Sequence, residues 1–414
     1  MDFFKKTKAS ALQIVVVVAV IILLLLFAFI SLLSLQQRLK AKNNNFKEAV
    51  YTTQEVFDYL SQIKNAQAQK DSLAFFSTNN KKVTLAKKQW GLFDLLTVRT
   101  QIKKEVFQKT GLLGGSNSNR KALYLQNNNN SLIIVGGTKI TGDVLLPKFG
   151  VNSGNIAGVS YSGNQFIYGE IGQSEAQIPK ISNIESVKVF LSNYEKDTLS
   201  FLDIEQGTFK TQFFASKTVI HRRNGAVELR GAILKGNIII ESDTLIRVYP
   251  SSKLEDVILI APKIEILKGV HGSFQAFASQ SIVVKEHCQL AYPTSLIVFE
   301  KKDNIKNKHI SILASSHVKG VVGYISDKEQ ANYKPQVFLD TNVVVFGEVY
   351  CQGNLELKGT VNGSVYTNSF IANQSGGVYI NHIYNGVINS EKLPEQFSGL
   401  FFKENRKTVV KWIE

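Results

Sequence analysis

The stretch "GNIIIESDTLIRVYPSSKLEDVILIAPKIEIL", Gly236–Leu267, decides the fold. It holds short β-branched runs separated by Ser, Asp, Pro or Lys, and no segment of helical period interrupts them. "NIIIES" begins at Asn237, "DVILIA" at Asp256 and a further run, "SIVVKE", at Ser281, so the runs recur at 19 and then 25 residues, with shorter strands midway. Turns of about 20 residues built from short strands are the mark of a β-solenoid, in which each coil buries its inward face only by stacking on its neighbours. The chain is therefore expected to be mainly β, with a β-solenoid over residues 121–395; the alternative is a β-sandwich with Gly turns.

Outward from this stretch, short strands continue in both directions. Towards the C-terminus "VFGEVYCQGNLELKGTVNGSVYTNSF" repeats Gly at 347, 353, 359 and 363, where glycine lets the backbone turn each corner. Residues 396–414 are expected to cap the open end of the rod, since an unpaired edge invites aggregation. Towards the N-terminus, "KALYLQNNNNSLIIVGG" reads as a hairpin around four Asn residues. Residues 71–120 read as a small α+β unit, with short apolar runs flanking "NNKK" as two strands flank a turn. Residues 38–70 read as an amphipathic stalk helix with Val50, Val56, Phe57, Leu60 and Ile63 at helical spacing, and "NNN" at 43–45 as its break.

Residues 10–37 form the expected membrane helix. A hydrocarbon core of about 30 Å needs roughly 20 helical residues, and Ile14 to Leu33 supplies them with Ser31 as the sole polar residue. Ile14, Leu23 and Leu33 are taken as anchor residues. A secretory signal has a shorter apolar region and a small-residue cleavage site, so the run is expected to be retained. Basic residues flank both ends, and the short N-terminal tail at 1–9 favours the arrangement that leaves the rest of the chain outside the cytoplasm.

Of the 414 residues 44% are hydrophobic and 20% charged, which describes a folded chain. The net charge of +15 comes mainly from scattered Lys rather than one block. Two cysteines, Cys288 and Cys351, exclude a disulfide framework.

Two carboxylates on neighbouring coils can act as acid and base on a glycosidic bond. Glu241 and Asp243 alternate on one run, and Glu255 and Asp256 follow one coil later; all four flank turns, where solvated acids are the ordinary case. His221, Arg222 and Arg223 form a cluster able to hold a phosphate or uronate, again at a turn. The remaining histidines, 271, 287, 309, 317 and 382, lack metal-ligand spacing, and His287 and Cys288 should point to opposite faces of a strand. Tyr249, Tyr292 and Tyr333 stand beside Pro or Lys and could stack on sugars. No phosphate loop, dinucleotide fingerprint or GxSxG occurs. Neither a catalytic residue, a metal nor a cofactor is assigned.

The junction "KTKASALQIVVVV", Lys6–Val18, resembles the start of type IV pilin and type II secretion pseudopilin subunits. That resemblance implies cleavage after Ala9, with Lys8, Ala9 and Ser10 as the processing residues and Ser10 as the new N-terminus. The glutamate usual at the fifth mature position falls on Ile14 and is absent, as in tip-type minor pseudopilins. The segment "GEVYCQGNLELKGTVNGSVY", 347–366, looks like the polymer-forming β-helix of bactofilins, which are cytoplasmic scaffolds.

The resulting expectation is a single-pass protein of the bacterial inner membrane, not an enzyme, with most of the chain in the periplasm. Its solenoid would serve as a structural or binding module, pseudopilin-like, within a pilus or secretion apparatus. Expected partners are membrane lipid, other envelope, pilus or secretion subunits, and polysaccharide; nucleic acid is not expected. The alternatives are a membrane-tethered polysaccharide-active enzyme and a bactofilin-like cytoplasmic scaffold.

Overall fold

The computed structural model describes residues 6–62, 76–78, 80–193, 206–213, 218–300, 308–326, 333–403 and 406–413. Residues 1–5 of the tail, the stalk beyond Gln62 with its Ile63, and residues 71–75 of the expected α+β unit lie outside that set. The chain divides into two compact units, one of residues 1–60, 65–85 and 98–109, the other of residues 61–64, 86–97 and 110–414.

In the first unit a single helix, α1, runs unbroken over Lys6–Gln62. The break expected at 43–45 is absent. Asn costs only a few tenths of a kcal/mol per position in a helix interior, and packing further along outweighs it. That packing uses Ala49, Thr52, Thr53, Val56, Phe57 and Leu60, a buried stripe at spacings of three and four. Thr53 Oγ1 lies 2.7 Å from the Ala49 carbonyl oxygen and 2.8 Å from Thr100 Oγ1.

Three strands follow: β1 (Lys81–Trp90), β2 (Phe93–Ile102) and β3 (Glu105–Ser116). Two-residue connections at 91–92 and 103–104 make them hairpins, because only antiparallel neighbours can be joined so tightly. At "NNKK" Thr78 and Lys81 pair antiparallel, with N–H to carbonyl distances of 2.8 and 3.1 Å, and β1 runs on from Lys81. The C-terminal strand Arg406–Ile413 pairs antiparallel with β3 and completes a four-stranded sheet.

The second unit is built on a parallel β-solenoid with three strand segments per coil. In Lys253–Ile266 these are 253–255, 257–261 and 263–266, each paired in parallel with the next coil. Parallel pairing from coil to coil excludes the β-sandwich. The interval of 19 holds, since Ile239 pairs with Ile258. The interval of 25 does not, because it joined two different sides of the coil: Ile258 pairs with Gln275, and Ile264 with Ile282.

The sides differ in what covers them. On the third side Arg247 and Glu265 are half-buried on the outer surface while Ile246, Val248, Ile264 and Ile266 fill the core. The second side is buried on both surfaces, which is why "III" at 238–240 and "VILI" at 257–260 are continuously apolar. Its inward residues Ile238, Ile240, Val257 and Leu259 belong to the coil core, and its outward residues Ile239, Ile258, Phe277, Ile297, Tyr350 and Tyr366 belong to a second core with Trp90, Leu92 and Val187. Gln275 joins that outer layer by accepting from Leu92 N–H at 2.7 Å and donating to the Trp90 carbonyl at 3.0 Å.

The coils do not stack in chain order. The expected hairpin at 121–137 is absent, for Leu123–Leu125 and Leu132–Val135 pair with other strands. Leu123 pairs in parallel with Val365, Ile134 with Ile383 and Ile140 with Ile388. Residues 122–141 therefore form the coil beyond the C-terminal one, and Val144 and Ile171 extend the stack. Residues 174–193, which include helix α2 (Ile184–Asn193), form a crossover along the stack, and the strand at Gly207 pairs with Ala232 at the opposite end. Ile178, Ile181 and Val187 of this crossover are buried against the outer surface of the second side.

Candidate functional site

Beside α2 a groove of about 620 Å³ opens on the second side, lined by Lys188, Leu191, Glu241, Asp243, Phe277, Phe299 and Glu300 among others. Register places Glu241, Ile260 and Phe277 on successive coils. The Phe277 and Phe299 rings stack, with centroids 6.3 Å apart and planes 14° from parallel. An apolar floor thus meets a rim carrying three carboxylates.

Each carboxylate has a partner of its own. Glu241 is ion-paired with Arg222. Asp243 accepts from Gly225 N–H at 2.6 Å. Glu300 accepts from the Tyr324 hydroxyl at 3.1 Å and from Ser326. Burial, with the Glu300 charge behind it, pushes the Tyr324 phenol up from its ordinary value. Lys188 reaches Glu185 at 3.1 Å along α2.

Only half of the four-carboxylate set meets here. Glu255 and Asp256 are held by Lys411 at 2.8–3.0 Å, and Glu255 also by Lys235 at 3.1 Å, so they form an ion cluster away from the groove. Burial pushes the Asp256 carboxyl up from its usual value, and Lys411 pulls it back only in part. The His221–Arg223 cluster is drawn into the same ladder, because Arg222 pairs with Glu241 one coil on.

Other expected groups are dispersed. His287 lies in a turn at φ +59°, not on a strand, and Cys288 beside it is a buried free thiol, as is Cys351. Tyr249 lies under the Arg230 guanidinium at 4.1 Å, Tyr292 donates to the Ser398 carbonyl at 2.8 Å, and Tyr333 is exposed. Among the described residues no three His, Cys, Asp or Glu side chains come together to hold a metal. Sequence reading missed Lys188, Phe299 and Glu300, which reach the groove from distant positions. The apolar "SLIVF" before Glu300 was the available signal.

The anchor residues are laid out differently. Ile14, Leu23 and Leu33 are all exposed on α1, as are the other large apolar side chains from Leu12 to Leu35. The helix is long and apolar enough to cross a membrane. Lys8, Ala9 and Ser10 lie in its first turns.

No family model matches this chain, and no curated protein does. Among solved structures it is similar to the competence-associated pilin ComZ from Thermus thermophilus, at 9% identity and a TM-score of 0.20, over 90% of this chain and 95% of that one. A score that low carries no argument about fold or function.

Proposed function

We propose that this protein is a single-span component of the bacterial envelope, held in the inner membrane by α1 and displaying its solenoid on the periplasmic side as a non-enzymatic structural and binding module. The observation that carries the reading is the uninterrupted exposure of apolar side chains over residues 12–35, which water would penalise and lipid or like helices would not. The pilin-like junction at Lys8–Ser10 supports a finer reading, in which α1 packs among helices of other subunits in a pilus or secretion apparatus.

The test is carbonate extraction of native membranes, with intact mass and protease access from the periplasmic side. Retention in the membrane with external digestion of the β region supports the proposal, and a chain beginning at Ser10 supports the pilus-type role. Release by carbonate would overturn the anchor. Resistance to external protease would move the solenoid to the cytoplasm and favour the scaffold alternative.

The groove at Glu241 and Asp243 favours a second reading, a membrane-tethered polysaccharide-active enzyme. Both acids already serve Arg222 and Gly225, so the first reading stands ahead of it. Polysaccharide cleavage that disappears in Glu241→Gln or Asp243→Asn, with the fold retained, would reverse that order.

A further inference from the structure

A strap of chain, residues 394–402, crosses the outer layer of the second side, and Glu348 lies beneath it. Phe397, Ser398, Leu400 and Phe401 of the strap are buried. Hydrogen bonds tie it down at several points. Gly399 pairs with Gly115 of β3, with N–H to carbonyl distances of 2.8 and 3.0 Å. Ser182 of the crossover donates its N–H and its hydroxyl to the Phe401 carbonyl at 2.7 and 3.0 Å. Tyr292 donates to the Ser398 carbonyl at 2.8 Å, and Arg120 donates to the Pro394 carbonyl at 2.8 Å and to the Phe397 carbonyl.

Glu348 is 2% exposed, and its Oε2 accepts from the Leu400 N–H at 2.6 Å. Gly399 packs so closely on the carboxyl that a Cβ there would lie 2.3 Å from Oε2. Gly399 and Leu400 thus close the carboxyl off from water.

The groups around the carboxyl leave it without a close countercharge. Its register neighbours on the adjacent coils are Val321 and Ser364, and the side chains of Tyr292 and Tyr366 approach it with phenols that stay neutral at ordinary pH. Arg120 acts on it through space, while its guanidinium is engaged with the strap carbonyls and with the Phe397 ring at 5.4 Å. Lys407 on the C-terminal strand is paired with Asp94, Lys319 is exposed over the Phe346 ring, and Glu395 and Lys403 near the ends of the strap are exposed. Burial accordingly pushes the carboxyl up to about 7, against the pull of the Leu400 N–H and of Arg120.

We infer that Glu348 is a pH-operated latch for this strap: with the carboxyl protonated the strap lies closed on the second side, and with it ionised the strap lifts so that water reaches the carboxylate. Leu393, Pro394 and Phe397 also wall a groove of about 480 Å³ with Tyr292 and Phe346, so the latch sets how far that groove opens.

The closed strap holds the proton more tightly than the open one, in which the carboxyl regains its ordinary value of 4.5. Closure is therefore strongest below that value and weakens as pH rises through 7. Between pH 6 and pH 8 the ratio of open to closed strap should rise about tenfold.

The test is hydrogen exchange of the full-length chain in detergent, read by mass spectrometry in peptides spanning 397–401 and 257–261 and corrected for the intrinsic pH dependence of exchange. Protection of the Gly399 amide, which donates to the Gly115 carbonyl, should fall about tenfold from pH 6 to pH 8 and stay below that of the amides at 257–261. In Glu348→Gln it should be the same at both pH values. Equal protection at the two pH values in the wild-type chain, or the same fall in Glu348→Gln, would overturn the latch. Gly399 protection as high as that at 257–261 would also overturn it, because the strap would then open only when the whole unit unfolds, and this comparison needs no variant.

Discussion

Tyr124 and Tyr366 are register partners in one parallel ladder, their rings stacked with centroids 6.5 Å apart, although nearly all of the solenoid lies between them in sequence. Tyr350 continues the ladder on the other side of Tyr366 at 6.4 Å. The three rings mark the joint where coils from the two ends of the domain meet without a covalent connection. Two of the hydroxyls also hold the crossover: Tyr124 donates to the Gln177 carbonyl at 3.2 Å and accepts from Glu175 N–H at 3.0 Å, and Tyr350 donates to the Pro179 carbonyl at 3.1 Å.

Removing the ring of Tyr124 should open this joint. Tyr124→Ala is expected to cost about 3–5 kcal/mol, as for other large-to-small changes in a core, and Tyr124→Phe about 1 kcal/mol for its hydrogen bonds. Hydrogen exchange locates the effect: the Val365 amide, which donates to the Ala122 carbonyl at 2.9 Å, should exchange faster in Tyr124→Ala. Amides of the coil at 257–261 should keep their protection. Unchanged exchange at Val365 would mean that the joint does not form.

Gly320, Gly347 and Gly363 stack in register at one corner of the coil, with φ of +140°, +146° and +153°. A Cβ on Gly363 would lie 1.8 Å from the Gly347 carbonyl oxygen. Gly363→Ala should therefore lower the melting temperature more than Gly269→Ala, a position also at positive φ but with open space around it. The strain alone is worth about 1–3 kcal/mol, and the clash adds to it only at Gly363.

Glu348 is buried in the outer layer of the second side, where burial pushes its carboxyl up to about 7 against the pull of the Leu400 N–H and of Arg120. The N–H to Oε2 distance is 2.6 Å. Because the folded state holds this proton more tightly than the unfolded chain does, the contribution is fully present below about pH 4 and is lost as pH rises towards 7. Glu348→Gln keeps an acceptor for Leu400 and removes the titration. It should leave stability near pH 4 unchanged and raise it at pH 8 by on the order of 3 kcal/mol, read from denaturant midpoints at the two pH values.

Lys411 neutralises Asp256, whose side chain is 6% exposed, and also reaches Glu255. Lys411→Met should destabilise the protein by about 3 kcal/mol, because it leaves a buried carboxylate unpaired. Adding Asp256→Asn should recover much of the loss. A double variant no more stable than the single one would show that Asp256 is not the group that suffers.

Leu23 stands midway along the exposed apolar run. An arginine at the centre of a membrane helix costs about 2.5–3.5 kcal/mol in insertion, so Leu23→Arg should reduce the carbonate-resistant fraction, while Tyr51→Arg, on the exposed surface of α1 beyond the run, should not.

The apolar span, the recurrence of short strands and the glycine corners are legible in the sequence, because each is encoded within about 20 residues. Helix length, strand alternation and the need for positive φ at Gly347 and Gly363 are local properties. Only the tertiary structure decided which coil lies on which. Leu123 pairs with Val365 rather than across "NNNN" because a parallel ladder accepts any β-branched or aromatic run of matching face, and local sequence carries no address for a partner so distant. The same reason hid the groove at Glu241. Lys188 reaches it because the crossover lays α2 along the second side, and Glu300 because its coil stacks on that of Phe277; the outward Ile239, Ile258 and Tyr350 of this side are as fully buried as their inward neighbours.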